Sequence, residues 1–433
     1  MTALARKLSK STLARNTMWM FSGQGLRLLE QGIYFLIIAK GLGVREYGAF
    51  VSVLALASII GPFSCWGTGA LLIKHVSRRP EQFSEWWGNA LFANVVVGSV
   101  FTVGVALVSR VALPPNFPFA LILTVAVSEL ICRGITNTAG QAFQAFERMS
   151  QTAKIPVLVT SLKLAGAIAM VLLFAKPTAL IWSCFYAGAS VVTMAISIGL
   201  VNRKLGTPRL ALWRLKPELM EGLYFSLSQS SQTVYNDIDK TMLARFSTLD
   251  ATGIYAAAYR LIDMSFLPVR SLLNAAYPRF FRYGSAGIQG SIRYARRLVA
   301  GAVAYGLVAA LMLFVVAPLL PRILGGDYAR SVDALRWLAP LVVLKAFHYF
   351  AADSLTGAGF QKFRTSIQAG VAIFNVLINL WIIPAYSWRG AAWSSLASDG
   401  MLAVALWILV AHLWRRQGAL QAMRAADLNL VAP

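Results

Sequence analysis

One stretch of the chain, residues 223–263, carries more ionisable and amide side chains than any other apolar region. It reads LYFSLSQSSQTVYNDIDKTMLARF and, after a short connection, GIYAAAYRLID. An ionisable group at bilayer depth costs about 2.5 kcal/mol or more, so such groups usually face a bundle interior or a water-filled cavity. We therefore expect this pair of helices to line a polar lumen. Its polar residues are Ser226, Ser228, Gln229, Gln232, Asn236, Asp237, Asp239, Lys240, Tyr259, Arg260 and Asp263.

A second polar stripe lies near the N-terminus. Gln24, Arg27, Gln31 and Tyr34 are spaced three and four residues apart, which places them on one face of a helix. Glu30 lies one turn from Arg27, so the arginine could pair with this glutamate or bind an anion. The same two alternatives hold for Arg260 and Asp263, which have the same spacing.

Further charges lie inside apolar segments. Glu129 and Arg133 have the favourable i,i+4 order, which predicts a structural ion pair. Lys163 and Lys345 have no partner nearby in the sequence, and Lys345 lies close to His348. Several carboxylates are candidates for coupling to a cation such as H⁺ or Na⁺, and no bound cofactor is expected. They are Glu30, Asp237, Asp239, Asp263, Asp353 and Asp399.

The strongest enzymatic signal is the D-x-D motif of Asp237 and Asp239, which holds metal in some glycosyltransferases. Here it lies within an apolar segment and is followed by Lys240. The sequence also contains no G-x-x-x-x-G-K-[ST] phosphate-binding loop. We therefore predict no catalytic residues, no metal site and no enzymatic activity.

The chain is too apolar for a soluble protein. Of its 433 residues, 58% are hydrophobic and only 13% are charged. About 20 apolar residues suffice to cross a bilayer as a helix, and the alternating pattern of a membrane β-barrel is absent. The prediction is an all-α integral membrane protein with twelve spans. They are residues 16–39, 49–72, 88–109, 118–139, 155–175, 178–200, 218–245, 252–277, 298–320, 333–355, 365–385 and 390–414.

The net charge of +23 could suggest a nucleic-acid partner, but its distribution favours a membrane. If the N-terminus is inside, the cytoplasmic connections hold about three times as many lysines and arginines as the opposite side, which fits the positive-inside rule. We therefore expect both termini in the cytoplasm and no nucleic-acid binding. The three cysteines show neither metal spacing nor a disulfide framework.

The longest polar interruption of the first half lies at 201–217 and predicts two six-helix lobes, 16–200 and 218–414. The flanking termini, 1–15 and 415–433, are assigned to the cytoplasm. Two internal matches support a parallel repeat. F-Q-x-F-x4-Q occurs at 143–151 and at 360–368, and Gly48 matches Gly253 at a different offset.

The chain resembles the Wzx-type polysaccharide flippases of the multidrug/oligosaccharidyl-lipid/polysaccharide exporter superfamily. The resemblance covers nearly the whole chain. It depends on LG-x-x-x-YG-x-F at 42–50, on G-x-Y-x-x-A-x-R at 253–260 and on DSLTGAGFQKFR at 353–364. It implies two six-helix bundles around a cationic central cavity in the bacterial inner membrane. The implied activity moves undecaprenyl-diphosphate-linked oligosaccharide between leaflets by alternating access, for O-antigen, capsule or exopolysaccharide synthesis.

Relatives in the superfamily place cavity arginines on the first and eighth helices, which points to Arg27 and Arg260 as ligands of the diphosphate. Candidate sugar-binding residues are Gln24, Gln31, Gln229, Gln232, Asn236 and Tyr259, although helix packing could equally use them. The implied partners are membrane lipids, the lipid-linked oligosaccharide, a polysaccharide polymerase and a chain-length regulator. The alternatives are a drug exporter of the same fold and a membrane polysaccharide polymerase or ligase.

Overall fold

The computed structural model describes residues 3–77, 79–115, 117–285 and 287–431. Side chains are described from Gly25 to Gln417, except at positions 78, 116, 221, 224, 225, 228, 229, 231, 232, 274, 275, 278 and 286. The described residues form helices joined by short connections and contain no strand, which confirms the all-α class. Two compact units divide between Gly253 and Ile254. The lobe boundary expected at 201–217 stays a prediction.

The first unit contains the helices from α1 to α9 and the first turn of α10. Between α4 and α5 the chain continues as a single π-helical turn, Val127–Cys132. The helices are α1 Ala3–Ser64, α2 Thr68–Val76, α3 Phe83–Ala112, α4 Phe119–Ala126, α5 Arg133–Ala145, α6 Met149–Leu173, α7 Ala179–Lys204, α8 Leu212–Leu215 and α9 Leu219–Phe246.

The second unit contains the rest of α10 and six further helices. Phe266, Phe280 and Phe350 form its apolar core with small residues of α11. The helices are α10 Leu249–Gly284, α11 Ile288–Val316, α12 Leu319–Leu324, α13 Ser331–Leu338, α14 Leu341–Gly357, α15 Gln361–Tyr386 and α16 Trp388–Val431.

Every segment predicted to span the membrane overlaps a helix. Among the described residues, eight helices are long and apolar enough to cross a bilayer, and a ninth is counted if 326–338 and 341–357, bent by 41°, form one span. The polar helices α9 and α10 are not among the eight. The candidate Gly25–Val76, which covers most of α1 and all of α2, counts once although it overlaps two predicted spans. The protein is therefore a multi-pass membrane protein, while the number twelve stays a prediction.

Helix α1 is broken at Gly43, where the sequence predicted the connection between two spans. Gly43 has φ 73° and ψ 171°, a backbone conformation that side chains with a Cβ rarely adopt. The break falls inside the motif L-G-x-x-x-Y-G-x-F. Glycine at this position therefore lets the chain change direction between the two halves of α1.

The matched glycines Gly48 and Gly253 bring two helices into close backbone contact. A Cβ on Gly48 would lie 1.9 Å from the carbonyl oxygen of Leu249, and a Cβ on Gly253 would lie 2.0 Å from that of Val44. The same sequence offset relates Gly48 to Gly253 and Val44 to Leu249, so the contact is reciprocal. We call these four residues the glycine contact.

The other internal match spans a connection between two consecutive helices at both places. Phe143 lies near the end of α5, and α6 begins at Met149, whereas Phe360 directly precedes α15. The two strings therefore differ in register by a few residues, and their relation as a repeat stays a prediction.

Candidate functional site

The first unit has a cluster of charges around the buried carboxylate of Glu129. Its carboxylate accepts hydrogen bonds from the Arg133 guanidinium and from the Tyr186 hydroxyl. Lys163 Nζ lies 3.9 Å from the same carboxylate and 3.7 Å from the centre of the Tyr186 ring. The predicted pair between Glu129 and Arg133 is confirmed, and Lys163 joins it from α6.

The π-helical turn explains how this cluster forms. A π turn adds one residue to the helix and occurs often at functional sites. Here it contains Glu129, whose side chain is 1% exposed and lies between α6 and α7. The sequence did not indicate Tyr186 as a partner, because 57 residues separate it from Glu129.

The polar face of α1 lies next to this cluster. Ser161 donates a 2.7 Å hydrogen bond to Glu30 Oε1, while Glu30 Oε2 is buried and has no hydrogen-bond partner among the described residues. The side chain of Arg27 is exposed, and its positive charge repels the ammonium group of Lys163. Arg27 and Glu30 therefore belong to the polar region of the first unit.

The second unit has its own buried polar cluster, formed by α10, α14 and α16. Lys345 Nζ donates a 2.8 Å hydrogen bond to the Tyr259 hydroxyl and lies 3.8 Å from Asp263 Oδ1. One turn further along α14, His348 Nε2 lies 2.8 Å from Asp399 Oδ1. Lys345 has no partner nearby in the sequence, and its partners Tyr259 and Asp263 come from another helix, α10.

Hydroxyl and amide groups extend this cluster through α15 and α16. The Tyr255 hydroxyl lies 2.9 Å from Ser395 Oγ. Asn375 Nδ2 donates to Ser398 Oγ, and Asn379 accepts from Ser394 Oγ. Sequence reasoning missed the serines and asparagines of this cluster, because single residues of these types carry no charge signal.

Arg260 differs from Lys345, which has both a hydrogen-bond partner and an acidic partner. It is half-buried on α10 and makes no hydrogen bond or ion pair with any other described residue. Its expected neutralising partner, Asp263, pairs with Lys345 instead. The i,i+3 ion pair between Arg260 and Asp263 is therefore not formed in this conformation.

The remaining candidate carboxylates have partners of their own. Asp237 pairs with Lys240 at 2.5 Å, and Asp239 accepts from the Lys240 backbone N–H. Asp353 pairs with Arg364 at 3.2 Å. Asp237 is half-buried whereas Asp239 is fully buried, so the two carboxylates of the D-x-D motif occupy different environments. Among the described side chains, no three His, Cys, Asp or Glu groups gather closely enough to hold a metal ion.

The candidate sugar-binding residues are placed as follows. Tyr259 is buried against Lys345, so its ring is covered in this conformation. Gln31 is half-buried on α1, and Asn236 is half-buried on α9, where its backbone carbonyl accepts from Lys240. The side chains of Gln24, Gln229 and Gln232 lie outside the described residues.

Taken together, the helices define a multi-pass helical membrane fold. Two solved structures share it. The structure titled as an inward-facing multidrug resistance MATE family transporter of the MOP superfamily matches with a TM-score of 0.72 and 16% identity, over 90% of this chain and 96% of that one. The structure titled lipid II flippase MurJ, inward closed conformation, gives a TM-score of 0.73 and 10% identity, over 92% and 87%.

The sequence then assigns the family. The polysaccharide biosynthesis protein family model matches residues 13–284, and the chain belongs to this family. It is also 19% identical over 396 residues to the probable low-salt glycan biosynthesis flippase Agl15 of Haloferax volcanii, covering 88% of this chain and 79% of that protein. The family match agrees with the resemblance to polysaccharide-exporting proteins found in the sequence.

Proposed function

We propose that this protein is a flippase that moves a polyprenyl-diphosphate-linked oligosaccharide, with undecaprenyl diphosphate as the carrier, across the bacterial inner membrane. The oligosaccharide is built into O-antigen, capsule or exopolysaccharide. The proposal is supported by the family match and by the flippase named among its relatives. The charge-biased connections favour an orientation with both termini in the cytoplasm.

The observation that carries the proposal is the state of Arg260. A guanidinium within a membrane helix is costly and is usually paired, yet Arg260 has no anionic partner among the described residues because Asp263 pairs with Lys345. An arginine without an acidic partner can bind an anion that comes from outside the protein. Guanidinium binds phosphate oxygens through two parallel hydrogen bonds, which suits a lipid diphosphate.

Arg27 is the corresponding candidate of the first unit. Its side chain is exposed, and its charge adds to those of Lys163 and Arg133 near two carboxylates, Glu30 and Glu129. The excess of cations favours an anionic ligand over a cationic drug. Transport coupled to H⁺ or Na⁺, and association with a polymerase and a chain-length regulator, belong to the same proposal.

Arginine substitutions test the ligand role in a transport assay with reconstituted vesicles. We expect Arg27→Ala and Arg260→Ala to abolish transport, and the lysine variants to retain part of it, because a point cation still attracts phosphate but lacks the planar fork. Arg45→Ala on α1 and Arg270→Ala on α10 are matched controls. Both replace an exposed arginine on the same helix and should leave transport unchanged.

A second pair of variants separates binding from a purely structural role. If Arg260 only balanced Asp263, the double variant Arg260→Ala/Asp263→Ala would regain transport. Recovery of full transport in this variant would exclude Arg260 as a ligand. Transport of a cationic drug in place of the glycolipid would favour the drug-exporter alternative.

A further inference from the structure

The chain between α7 and α9, residues 205–218, is fixed to the beginning of α3, and we call it the α7–α9 connection. The Asn89 side chain makes two 2.8 Å hydrogen bonds with Ala211, one donated to the backbone carbonyl and one accepted from the backbone N–H. The backbone N–H of Arg209 donates a 2.8 Å hydrogen bond to the Ser84 carbonyl. Because these bonds hold the backbone of the connection, its outward side chains occupy defined positions.

Two further contacts bring the connection close to α3. A Cβ on Gly88 would lie 2.2 Å from the Arg209 carbonyl oxygen, so only glycine permits this approach. Glu85 forms an ion pair with Arg214, whose guanidinium lies 4.5 Å from the centre of the Trp213 ring. The connection therefore covers positions 85, 88 and 89 of α3.

The covered positions begin a stripe that is exposed further along α3. Residues that recur every three or four positions lie on one face of a helix, and α3 belongs to a segment apolar enough to span a bilayer. The stripe continues with exposed large apolar side chains at Phe92, Val95, Val96, Val100, Val103, Leu107 and Val111. This part of the stripe faces lipid, and the connection takes the place of lipid over the first two turns of the helix. The outer side of the connection therefore lies where hydrocarbon meets headgroups.

The outer side of the connection is apolar. Leu210, Leu212 and Trp213 are 65%, 43% and 70% exposed, whereas Ala211 and Leu215 are buried. Tryptophan is enriched where a membrane meets water, because its ring is apolar and its N–H is polar. In water these three exposed side chains would be left uncovered, but at the membrane boundary their apolar surface is buried among lipids.

Positive charge surrounds this apolar surface. Between 203 and 217 the sequence contains no aspartate or glutamate. Four basic side chains of this segment are exposed, namely Arg203, Lys204, Arg209 and Lys216. The carboxylate that follows the segment, Glu218, pairs with Lys74 at 3.2 Å. The exposed charges described on the two adjoining connections are two acidic and two basic residues, which offset each other: Glu81, Glu147, Arg79 and Arg148. The surface therefore carries an excess of positive charge.

We propose that the α7–α9 connection is a membrane anchor that binds acidic phospholipids. Leu210, Leu212 and Trp213 insert between the lipids, and the four exposed cations bind the phosphates of acidic headgroups. Amphipathic segments bind a membrane surface by burying apolar side chains and attracting anionic lipid, and clustered Lys and Arg side chains beside a spanning helix attract acidic headgroups. A soluble acidic partner fits less well, because the apolar side chains adjoin the lipid-facing stripe of α3.

Nitroxide labels test the insertion. In a background with the three native cysteines replaced by serine, Leu210→Cys and Trp213→Cys are labelled in vesicles of phosphatidylcholine and phosphatidylglycerol. Val100→Cys, within the stripe, is the lipid control, and Glu81→Cys, an exposed residue before α3, is the water control. We expect labels at 210 and 213 to collide more often with oxygen than with a water-soluble nickel complex, as at 100. Collision with the nickel complex as frequent as at 81 would overturn the insertion.

Fluorescence quenching tests the lipid preference. A fluorophore at Leu210→Cys is quenched by brominated acyl chains, which are supplied on phosphatidylglycerol or on phosphatidylcholine at the same mole fraction. We expect phosphatidylglycerol to quench more strongly. Arg209→Gln and Lys216→Gln should each reduce this preference about fivefold, the contribution of one basic residue near a membrane surface. Arg110→Gln is the matched control, because it replaces an exposed arginine at the other end of α3 and should leave the preference unchanged.

The outcomes of the quenching experiment are distinct. High salt should weaken the preference, since it screens charges at the membrane surface. Equal quenching by the two lipids, or an equal loss of preference in Arg110→Gln, would overturn the binding of acidic headgroups. Equal quenching together with labels that meet the nickel complex would favour a soluble acidic partner and overturn the whole proposal. Neither measurement needs the glycolipid, so both stand or fall independently of the proposed function.

Discussion

The glycine contact yields a quantitative prediction about Gly48→Ala. The added methyl group would lie 1.9 Å from the carbonyl oxygen of Leu249. The two helices must therefore separate locally by about 1.5 Å to restore ordinary van der Waals distances. Overpacking of this kind costs about 1–3 kcal/mol. If the two helices of the glycine contact also separate transiently in the parent protein, the same energy favours this parted state. Gly48→Ala then makes the parted state about 5- to 150-fold more populated than in the parent.

Thiol labelling at Ala251 measures this change. Ala251 lies in the first turn of α10, two residues after Leu249, and is 5% exposed. In a background with the three native cysteines replaced by serine, Ala251→Cys should react slowly with a membrane-impermeant maleimide. Adding Gly48→Ala should raise the labelling rate by the same factor as the population of the parted state.

Gly61→Ala is the matched control on the same helix. Nothing lies within 4 Å of a Cβ added at Gly61, so this variant should leave the labelling rate unchanged. It should also stabilise α1 by up to about 1 kcal/mol through helix propensity. Equal labelling rates for Gly48→Ala and its parent would refute the role given to the glycine contact.

Two further predictions concern stability. Glu129→Ala should lower the free energy of unfolding by about 3 kcal/mol. This value is the low end of the range for a broken buried ion pair, because the side chain of Arg133 is half-exposed. Adding Lys163→Met should restore part of the loss in thermal unfolding, and no recovery would contradict the pairing at 3.9 Å. Asn89→Ala removes two 2.8 Å hydrogen bonds to the backbone of Ala211. It should cost about 1–3 kcal/mol and speed tryptic cleavage of the connection before α9, and an unchanged cleavage rate would contradict this anchoring role.

The sequence predicted most of the fold because hydropathy and helix period are local signals. Apolar runs located the helices, and Gly43 within its motif marked the break in α1. The i,i+4 spacing of Glu129 and Arg133 identified their ion pair. The match between Gly48 and Gly253 indicated a repeat, but only the structure shows that the two glycines are in contact.

The clusters themselves could not be predicted, because their partners are distant in the sequence. Lys163 finds Glu129 on another helix, and Lys345 takes the carboxylate that local spacing assigned to Arg260. Two charged residues three positions apart on one helix can pair with each other or with residues of neighbouring helices. Here Asp263 pairs with the buried Lys345 of α14 and not with Arg260. His348 drew attention by its residue type, but Asp399 was not identified as its partner.

The most direct test of the central claim is transport by the purified protein in sealed vesicles. A polyprenyl-diphosphate-linked oligosaccharide is placed in one leaflet, and its sugar is assayed in the other leaflet with an impermeant glycosidase. We predict that wild-type protein makes the glycolipid accessible, that Arg260→Ala does not, and that Arg270→Ala behaves as wild type. Glycolipid movement no faster than in protein-free vesicles, with folded protein present, would contradict the account.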